Sequence, residues 1–587
     1  MCSLTDNDPG LFFADDGAPR SARFGDIYYS LQDGLAESRA VFLDGCHLPQ
    51  AWQGCDRFSV LELGFGTGLN IVALMQLWAA HRPPQGHLHV FSIEGFLMEG
   101  AAAGRALSAW PELKSYADAL LAQWPAARTG LHHMDFPQWG MSVTLALMDV
   151  RAALGAWQGR ADAVFLDGFS PALNADMWAE DILAQVGNHC HAGARLGTFT
   201  VAGAVRRGLQ AAGFSVEKCP GFGRKRERLE AKFTAGHEVS RAKPVRRIAV
   251  VGAGIGGCAL AHQGRMLGLA VDLFDAEGVG AGASGNAVAL VTPRLDAGDN
   301  AISALFADAY AYAGTLYRRL CPEAIAGEGL GLFAADARDV SRFERISRQA
   351  LFPAGAFDRF GAGEDPDVPA GEGLRLNHAL WVRPRDVLSG LLEGRAPTIA
   401  TINDIPDGYD AVILACGEGI FDRPDIVERF DLRPVRGQVE YAAETDAPVR
   451  ALSWGGYAVP LDGGLLFGAT HERGDRGIDV READRARNLE SLAQVRPEQA
   501  AALASCPLQS RASIRVMTRD YLPAIGEVGP GLYALSGLGA RGFCLAPLLA
   551  KALLAHIVGA PSPLSAEGEN LLNISRNSLN LSMSKRS

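Results

Sequence analysis

The chain has 587 residues, of which 48% are hydrophobic and 21% charged, and its formal net charge at pH 7 is −11. This length exceeds what a single hydrophobic core organises, so we expect at least two domains. The first residues lack the basic and apolar regions of a secretory signal, and no unbroken apolar run is long enough for a membrane span. The ten cysteines include no C-x-x-C pair, so neither a disulfide framework nor a metal site is expected.

Two successive α/β patterns follow a short preface. Residues 1–55 contain short strand-like runs, and from Phe58 apolar runs alternate with helical stretches, as a parallel sheet with crossover helices requires. We therefore predict one domain over residues 1–235 and a linker over 236–246. A second α/β domain with a β-rich substrate subdomain is expected over 247–565, and a polar tail over 566–587.

The stretch VLELGFGTGLN, at the head of the first pattern, predicts a ligand-binding loop at the end of a buried strand. Its spacing E-x-G-x-G-x-G resembles the first motif of Rossmann-like methyltransferases that bind S-adenosylmethionine, and the residues concerned are Glu62, Gly64, Gly66 and Gly68. At the ends of two later strands, Glu94 is placed to accept from both ribose hydroxyls and Asp149 to meet the adenine amino group. For either acid alone, capping of the next helix is an equally good reading.

A further acid ends the strand in VFLDGFSPALNADMW. This segment resembles the D/N-P-P-Y loop of methyltransferases that act on amino groups. Methyl transfer to nitrogen needs an aligned, neutral amine, so a carboxylate that accepts an amine N–H and an aromatic wall are both useful. We therefore expect Asp167 to position the amine and Phe169 to form the wall, with helix capping by Asp167 as the alternative.

The segment from Val205 to Arg247 is basic, with twelve Lys or Arg against four Glu, within an acidic chain. Such a stretch indicates a local contact with a polyanion. A solvated linker flanked by helix-end cations explains the same composition, and the charge pattern alone does not separate the two.

The second pattern opens with VVGAGIGG, which gives G-x-G-x-x-G as Gly252, Gly254 and Gly257. The motif follows a predicted strand, opens a helix and precedes Asp275 at the end of the next strand. This context predicts a dinucleotide, with the pyrophosphate at the helix N-terminus and a ribose on Asp275. The motif does not distinguish NAD from FAD.

Three later segments favour FAD, because each resembles a part of the D-amino-acid oxidase and glycine oxidase superfamily. GVGAGASGNAVALVTPRL resembles the segment that wraps the cofactor and contains Ser284, Gly285 and Asn286. YDAVILACGEG resembles a strand and turn near the dinucleotide, and GLYALSGLGARGF resembles the turn against the flavin, which contains Gly539.

The superfamily oxidises a C–N bond beside a carboxylate, which arginine clamps bidentately. ASIRVMTRDYLPAIG resembles the segment with the first clamping arginine, here Arg515, and GLGARGFCLAP resembles the segment with the second, here Arg541. The match is partial, since Val516 replaces a proline and Ala540 an aromatic residue. Surface cations without a ligand are the alternative for both arginines.

Over nearly its whole length the chain resembles the bifunctional enzymes of tRNA 5-methylaminomethyl-2-thiouridine biosynthesis. The resemblance implies a methyltransferase domain followed by an FAD-binding Rossmann domain. The FAD domain would remove the carboxymethyl group from 5-carboxymethylaminomethyl(-2-thio)uridine at the tRNA wobble position, and the methyltransferase would then methylate the amine.

The resemblance also implies contacts with tRNA through basic residues, namely Arg206, Arg207, Arg224, Lys225 and Arg226. The scattered cysteines indicate a cytoplasmic protein, and we expect a monomer because nothing implies an oligomer. Two other functions stay open from the residues alone. A small-molecule oxidase fused to a metabolite methyltransferase predicts turnover of free glycine or N-methylglycine. A non-catalytic tRNA-binding protein predicts a preparation without flavin.

Overall fold

The computed structural model describes residues 9–573 except 16, 31, 224, 236–243, 299, 366, 368–370 and 402–406. The chain divides into two compact units. The first comprises Met1–Pro244, Met266–Gly268 and Ala555–Ala566, and the second comprises Val245–Arg265, Leu269–Leu554 and Glu567–Ser587.

The described residues before the linker form eleven strands and seven helices. The strands are β1 Leu11–Phe13, β2 Pro19–Ser21, β3 Asp26–Ile27, β4 Arg57–Leu63, β5 His87–Glu94, β6 Gly130–Phe136, β7 Met141–Leu147, β8 Ala161–Leu166, β9 Cys190–Thr198, β10 Phe214–Pro220 and β11 Glu227–Phe233. The helices are α1 Gly34–Ser38, α2 Leu69–His81, α3 Gly100–Leu107, α4 Lys114–Leu121, α5 Val150–Ala156, α6 Glu180–Asn188 and α7 Gly203–Ala211.

The main sheet of the first unit has the order β10-β11-β9-β8-β4-β5-β7-β6, and β4 pairs in parallel with both β5 and β8. Both faces of β4 are buried, with Val60 in one hydrophobic core and Leu61 in the other. Because the chain leaves β4 first toward β5 and later returns to β8, the carboxyl end of β4 is a topological switch point. Ligands of open α/β sheets bind at such points.

From Arg247 onward the described residues form sixteen strands and nine helices. The strands are β12 Arg247–Val251, β13 Ala270–Asp275, β14 Ala289–Val291, β15 Ile325–Phe333, β16 Phe357–Phe360, β17 Gly373–Val382, β18 Thr398–Ile399, β19 Ala411–Leu414, β20 Leu432–Ala442, β21 Ala451–Ser453, β22 Tyr457–Leu461, β23 Gly464–Gly468, β24 Glu472–Arg473, β25 Gln509–Thr518, β26 Ala524–Gly529 and β27 Leu532–Ser536. The helices are α8 Ile255–Met266, α9 Asn300–Leu320, α10 Ala337–Ile346, α11 Pro384–Leu392, α12 Pro424–Phe430, α13 Glu482–Ala493, α14 Pro497–Leu503, α15 Gly542–Val558 and α16 Ala566–Leu572.

The second unit contains two sheets. One has the order β18-β13-β12-β19-β27-β26, with β12 parallel to both β13 and β19, so it repeats the switch-point arrangement of the first unit. The other has ten strands, in which β20 and β25 form a long antiparallel pair. This second sheet is the β-rich part that the sequence places between the dinucleotide-binding elements.

Two segments differ from the sequence expectation. The preface is β-rich only as far as β3 and then forms α1, whose first turn is capped by the Asp33 side chain. Residues 566–572, expected to begin the polar tail, form α16, in which Leu572 is buried. Residues 236–243 of the expected linker and 574–587 of the expected tail lie outside the described part of the chain.

Among the described residues, one stretch, Gly539–Val558, is long and apolar enough to cross a membrane by length and composition. However, 67% of its most apolar 18-residue segment is buried inside the protein, which is the environment of a core helix. The cysteines within the described residues are all free.

Candidate active sites

The first glycine loop, residues 64–68, connects β4 to α2. Gly64, Gly66 and Gly68 have φ angles of +89°, +56° and +79°, a left-handed conformation that favours glycine. A Cβ atom on Gly64 would lie 3.1 Å from the backbone of Gly168, so the loops that follow β4 and β8 pack directly on each other. These two loops form the edge at which the predicted acids meet.

Glu94 ends β5 and holds the first glycine loop. Its Oε2 accepts a hydrogen bond from the Gly66 N–H at 2.9 Å, and its Oε1 accepts one from the Phe96 N–H at 2.8 Å. Burial raises the pKa of this carboxyl group. Each oxygen keeps a further lone pair, so the geometry allows the predicted ribose contacts as well as the observed backbone contacts.

Glu62 is fully buried within β4. Its Oε2 accepts from the Ser92 hydroxyl, whereas its Oε1 has no hydrogen-bond partner among the described residues. Burial, together with the neighbouring Asp167, raises the pKa of Glu62 to about 8. At neutral pH this side chain is therefore mainly a neutral carboxylic acid.

Asp167 follows β8 and lies in a defined hydrogen-bond chain. Its Oδ2 accepts from the Asn70 side-chain amide at 2.9 Å, and its Oδ1 accepts from the Gly168 N–H at 2.8 Å. The Ser38 hydroxyl donates to Asn70 Oδ1 at 2.7 Å, which fixes the amide orientation. Burial raises the pKa of Asp167 to about 7. A carboxyl group that ionises near neutral pH suits general-base chemistry.

Aromatic side chains surround the loop that follows Asp167. Phe169 stacks on Phe24 with ring centroids 4.7 Å apart, and the Tyr28 ring meets Phe169 edge-on at 5.2 Å. The Asp26 carboxylate accepts from the Ser170 N–H at 2.9 Å and so attaches the N-terminal strands to this loop. Sequence reasoning missed these N-terminal residues, and the available signal was the aromatic stretch FGDIYYS.

Asp149 is exposed and begins α5. Its Oδ1 accepts from the Arg151 N–H at 2.9 Å and from the Ala152 N–H at 3.4 Å. This is the helix-capping role that the sequence left open. It occupies one carboxylate oxygen, and the adenine contact expected of Asp149 stays a prediction.

The predicted basic contacts have different surroundings. Arg206 and Arg207 on α7, and Arg226 before β11, are exposed. Lys225 instead places its Nζ 2.9 Å from Glu37 and 4.4 Å from the centroid of the Phe199 ring. Arg224 lies outside the described residues.

The second glycine loop connects β12 to α8, and a Cβ atom at each of its three motif glycines would meet a different neighbouring atom. A Cβ on Gly252, where φ is +107°, would lie 2.3 Å from the Ala415 carbonyl oxygen. A Cβ on Gly257 would lie 1.6 Å from the Gly252 carbonyl oxygen, and one on Gly254 would lie 3.1 Å from Ser284 Oγ. Any larger residue would therefore displace the neighbouring backbone or the Ser284 side chain and change the shape of the loop at the helix N-terminus.

Asp275 ends β13 and holds the second glycine loop. Its Oδ2 accepts from the Ala253 N–H at 2.6 Å, and its Oδ1 accepts from the N–H groups of residues 277 and 278 at 2.9 and 2.7 Å. Ser284 Oγ accepts from the Ile255 N–H at 3.0 Å, at the start of α8. The predicted cofactor residues thus also shape the loop itself.

Arg511 on β25 holds the predicted wrapping segment. It donates to the carbonyl oxygens of Ala281 and Gly282 at 2.9 and 2.8 Å and contacts Asn286 Oδ1 at 3.4 Å. A Cβ on Gly285 would lie 2.9 Å from its guanidinium group. Sequence reasoning missed Arg511, because no local pattern links it to a segment more than 200 residues earlier.

A cavity of about 1160 Å³ joins these elements within the second unit. It is lined by the second glycine loop, Asp275, Ser284, Asn286, Arg515 and residues 535–543. Four side-chain atoms of cavity-lining residues are buried without a hydrogen-bond partner among the described residues, namely Arg342 Nε, Glu418 Oε2, Ser536 Oγ and Arg541 Nε. A cavity of this volume, lined by both apolar and polar atoms and by a few unsatisfied polar groups, fits a dinucleotide cofactor together with a substrate.

The two predicted clamping arginines both line this cavity. Arg515 lies on β25 against the backbone of Gly437, where a Cβ would come within 2.1 Å of Arg515 Nη2. Tyr457 lines the same cavity, and burial raises the pKa of its hydroxyl while Arg515 opposes that effect. Burial lowers the pKa of Arg541, which precedes α15. Arg515, Arg541 and Tyr457 therefore line one cavity, and Tyr457 was not predicted.

Comparison with known proteins agrees with this geometry. Residues 111–234 match the family of S-adenosyl-L-methionine-dependent methyltransferases, and residues 247–556 match the family of FAD-dependent oxidoreductases. The tRNA 5-methylaminomethyl-2-thiouridine biosynthesis bifunctional protein MnmC of Caulobacter sp. (strain K31) is 47% identical over 94% of this chain and 95% of that protein. The chain belongs to the MnmC family. The MnmC proteins of Caulobacter vibrioides (strain ATCC 19089 / CIP 103742 / CB 15) and Maricaulis maris (strain MCS10) are 45% and 38% identical, each over 96% of this chain and over 97% and 95% of their own lengths.

This MnmC family member is thus a bifunctional enzyme, with an S-adenosylmethionine-dependent methyltransferase followed by an FAD-dependent oxidoreductase. The α/β fold class, the order of the two domains and both cofactors are confirmed. The roles of individual site residues and the domain bounds stay predictions.

Proposed function

We propose that this enzyme completes 5-methylaminomethyl(-2-thio)uridine at the wobble position of tRNA in two steps. The oxidoreductase removes the carboxymethyl group from 5-carboxymethylaminomethyl(-2-thio)uridine, and the methyltransferase then methylates the resulting amine. The observation that supports the proposal is that one chain contains a site suited to a carboxylate and a site suited to an amine. One cavity is lined by arginines suited to a carboxylate, and one sheet edge carries an acid suited to an amine.

In the oxidative step, Arg515 and Arg541 hold the carboxylate of the N-substituted glycine, because a guanidinium group matches a carboxylate bidentately. When bound, FAD would supply the two-electron oxidation that removes a hydride from the α-carbon, and the nitrogen would lose its proton to water. Water then adds to the resulting C=N bond of the substrate and releases the carboxymethyl carbons as glyoxylate and the amine on the uridine. Tyr457, which lines the same cavity, is placed to donate a hydrogen bond to the carboxylate.

In the methylation step, S-adenosylmethionine would supply the methyl group and leave as S-adenosylhomocysteine. Glu62, Glu94, Asp149 and the loop glycines hold this donor. Asp167 accepts a hydrogen bond from the substrate amine and takes its proton, while Phe169 packs against the base. The Ser38–Asn70 pair keeps Asp167 in position, since both hydrogen bonds fix the orientation of the Asn70 amide.

We also propose that the basic residues Arg206, Arg207, Arg224, Lys225 and Arg226 bind phosphates of the tRNA, an interaction that weakens with salt. Exposure of Arg206, Arg207 and Arg226 supports this role. The domain bounds are residues 1–235 and 247–565, with a linker over 236–246 and a tail over 566–587. The enzyme acts in the cytoplasm as a monomer.

Nucleoside mass spectrometry tests the function directly. Purified protein is incubated with tRNA that bears the carboxymethylaminomethyl group, with and without S-adenosylmethionine. Loss of the carboxymethyl mass without the donor, followed by gain of one methyl group with it, is expected. If a flavin-loaded preparation left the nucleoside unchanged, tRNA would not be the substrate, and free N-substituted glycines would be the next substrates to assay.

A further inference from the structure

The mouth of the oxidoreductase cavity carries an exposed isoleucine. Ile478 lies in the loop between β24 and α13, which we call the mouth loop and define as residues 474–481. Ile478 lines the cavity, yet 69% of its surface is exposed, so it lies where the cavity opens to solvent. Val480 in the same loop is also apolar and 49% exposed, but it does not line the cavity.

A buried arginine holds the mouth loop from below. Arg436 on β20 is fully buried and pairs with the buried Asp484. Its Nε donates to the Gly477 carbonyl oxygen at 2.9 Å, and its Nη2 donates to the Asp479 carbonyl oxygen. These carbonyls flank Ile478 on either side. Because a buried charge is costly unless it is fully bonded, this arrangement holds the loop in one shape.

Hydrogen bonds within the mouth loop also stabilise its conformation. Arg481 donates to Asp475 and, at 2.8 Å, to Asp479, and the Gly477 N–H donates to Asp475 Oδ1 at 2.8 Å. Ile478 is therefore presented rigidly at the mouth of the cavity. A rigid apolar side chain in this position loses little conformational freedom when a ligand covers it, which is the advantage of a preorganised binding surface.

The positive charge near Ile478 indicates which kind of ligand covers this side chain. Arg476, two residues before Ile478, is about half exposed, with its guanidinium 3.9 Å from Glu418 and 5.2 Å from the centroid of the Phe421 ring. An apolar platform beside an exposed guanidinium suits a nucleotide, whose base has an apolar face and whose phosphate is an anion. Arg515 and Ile478 line the same cavity, so a substrate whose carboxylate lies at Arg515 has room to extend its other end toward this mouth.

We infer that Ile478 is a specificity-determining residue of the oxidative reaction, which packs against the pyrimidine ring of the nucleoside whose side chain enters the cavity. The inference rests on the proposed function. Free N-methylglycine consists of only a few atoms and cannot occupy the carboxylate site and the mouth together. The mouth loop therefore favours glycine units attached to a base over free amino acids.

The test compares Ile478→Ala with Val480→Ala, a matched change in the same loop outside the cavity. For tRNA bearing the carboxymethylaminomethyl group, Ile478→Ala is expected to raise KM about tenfold, the equivalent of one buried aliphatic contact, with kcat retained. The rate of flavin reduction by N-methylglycine, the FAD content and the melting temperature are expected to match the wild type. Val480→Ala is expected to change none of these quantities.

Two sets of results overturn the inference while leaving the proposed function intact. One is an unchanged KM for tRNA in Ile478→Ala with an active wild type. The other is an equal loss with tRNA and N-methylglycine, or a loss of FAD, which would assign Ile478 to the support of the cavity. A wild-type enzyme that leaves the tRNA nucleoside unchanged overturns the proposed function and the inference with it.

Discussion

The acids at the sheet edge of the methyltransferase unit contrast with the arginines in the cavity of the oxidoreductase unit. Burial raises the pKa values of Glu62, Glu94 and Asp167, so the first site holds groups that resist becoming anionic. Burial lowers the pKa of Arg541 in the second site, which therefore favours an anion as its partner. Both sites use a strand, a glycine loop and a helix, so the chemistry depends on the side chains that each unit adds to this arrangement.

The largest effect that would separate the two sites is expected from Arg515→Ala. Loss of the carboxylate partner should lower kcat/KM of the oxidative step by at least about 30-fold and by up to about 5000-fold, since truncating one member of a desolvated charge pair costs about 2–5 kcal/mol. The rate of methylation of tRNA that already carries the aminomethyl group should not change. Arg433→Ala is the control, because Arg433 is exposed on the neighbouring strand and pairs with Asp431. An equal loss in both variants would contradict the clamp assigned to Arg515.

Asp167→Asn is the reciprocal change in the methyltransferase. Loss of the general base should lower the methylation rate by about 100-fold, while oxidation stays unchanged. In the wild type, methylation should rise with pH through about 7, because the carboxyl group accepts a proton only after it ionises. Asp118→Asn, at an exposed ion pair with Lys114, is the control. A variant that keeps the wild-type rate and pH profile would show that Asp167 is a helix cap only.

Gly437→Ala tests whether the space left by Gly437 is needed to position Arg515 for the carboxylate. The added methyl group would lie within 2.1 Å of Arg515 Nη2, so the guanidinium must move. A displacement of this kind should raise KM for the carboxylate substrate about tenfold with FAD content preserved. In an Arg515→Ala background the same change should have no further effect on kcat/KM. Additive losses would mean that Gly437 supports β20 in general and not Arg515 in particular.

Glu62→Gln tests the buried acid of the first site and is expected to have the smallest effect. The pKa of Glu62 in the folded protein, about 8, exceeds its ordinary value of 4.5, so folding favours the neutral form. Its stabilising contribution is complete below pH 4.5 and is lost as pH rises through about 8. The glutamine variant should therefore melt about 2–4 °C above the wild type at pH 9, with a smaller difference at pH 5. Glu112→Gln, at an exposed position, should show no such pH dependence.

Motifs with a local physical cause were predictable from the sequence. The glycines of both loops fall where the backbone is left-handed or where a Cβ would meet a neighbouring backbone. These requirements occur at fixed positions along the loop, so the spacing of the glycines predicts the loop. Acids at strand ends were predictable for the same reason, since parallel strands bring their carboxyl ends to one edge. The helix-capping contact of Asp149 was predicted as an alternative, whereas the contacts of Asp275 were not, because the positions of the backbone N–H groups that it accepts from depend on the folded loop.

Residues that act across the fold were not predictable. Arg511 holds a segment more than 200 residues away, and Tyr457 reaches the cavity because β22 pairs with β23 in a particular register. Phe24 and Tyr28 reach the Asp167 loop through the small N-terminal sheet. The contacts of Arg511 and Tyr457 leave no periodic or motif-like trace, and the stretch FGDIYYS shows the aromatic residues near Phe24 and Tyr28 but not their partner, because each contact joins elements that are distant along the chain.

By itself, the sequence determined that this protein has two α/β units in a fixed order, with two glycine loops and the acids and arginines that go with them. These features are local, since each depends on a short run of residues and on the geometry of one strand, turn and helix. The tertiary structure decided which side chains meet around each ligand position and which of them are buried. Desolvation sets the pKa values of Glu62 and Asp167, and close packing places Arg515 on Gly437 and Ile478 at the cavity mouth, because both effects depend on neighbours that only folding brings together.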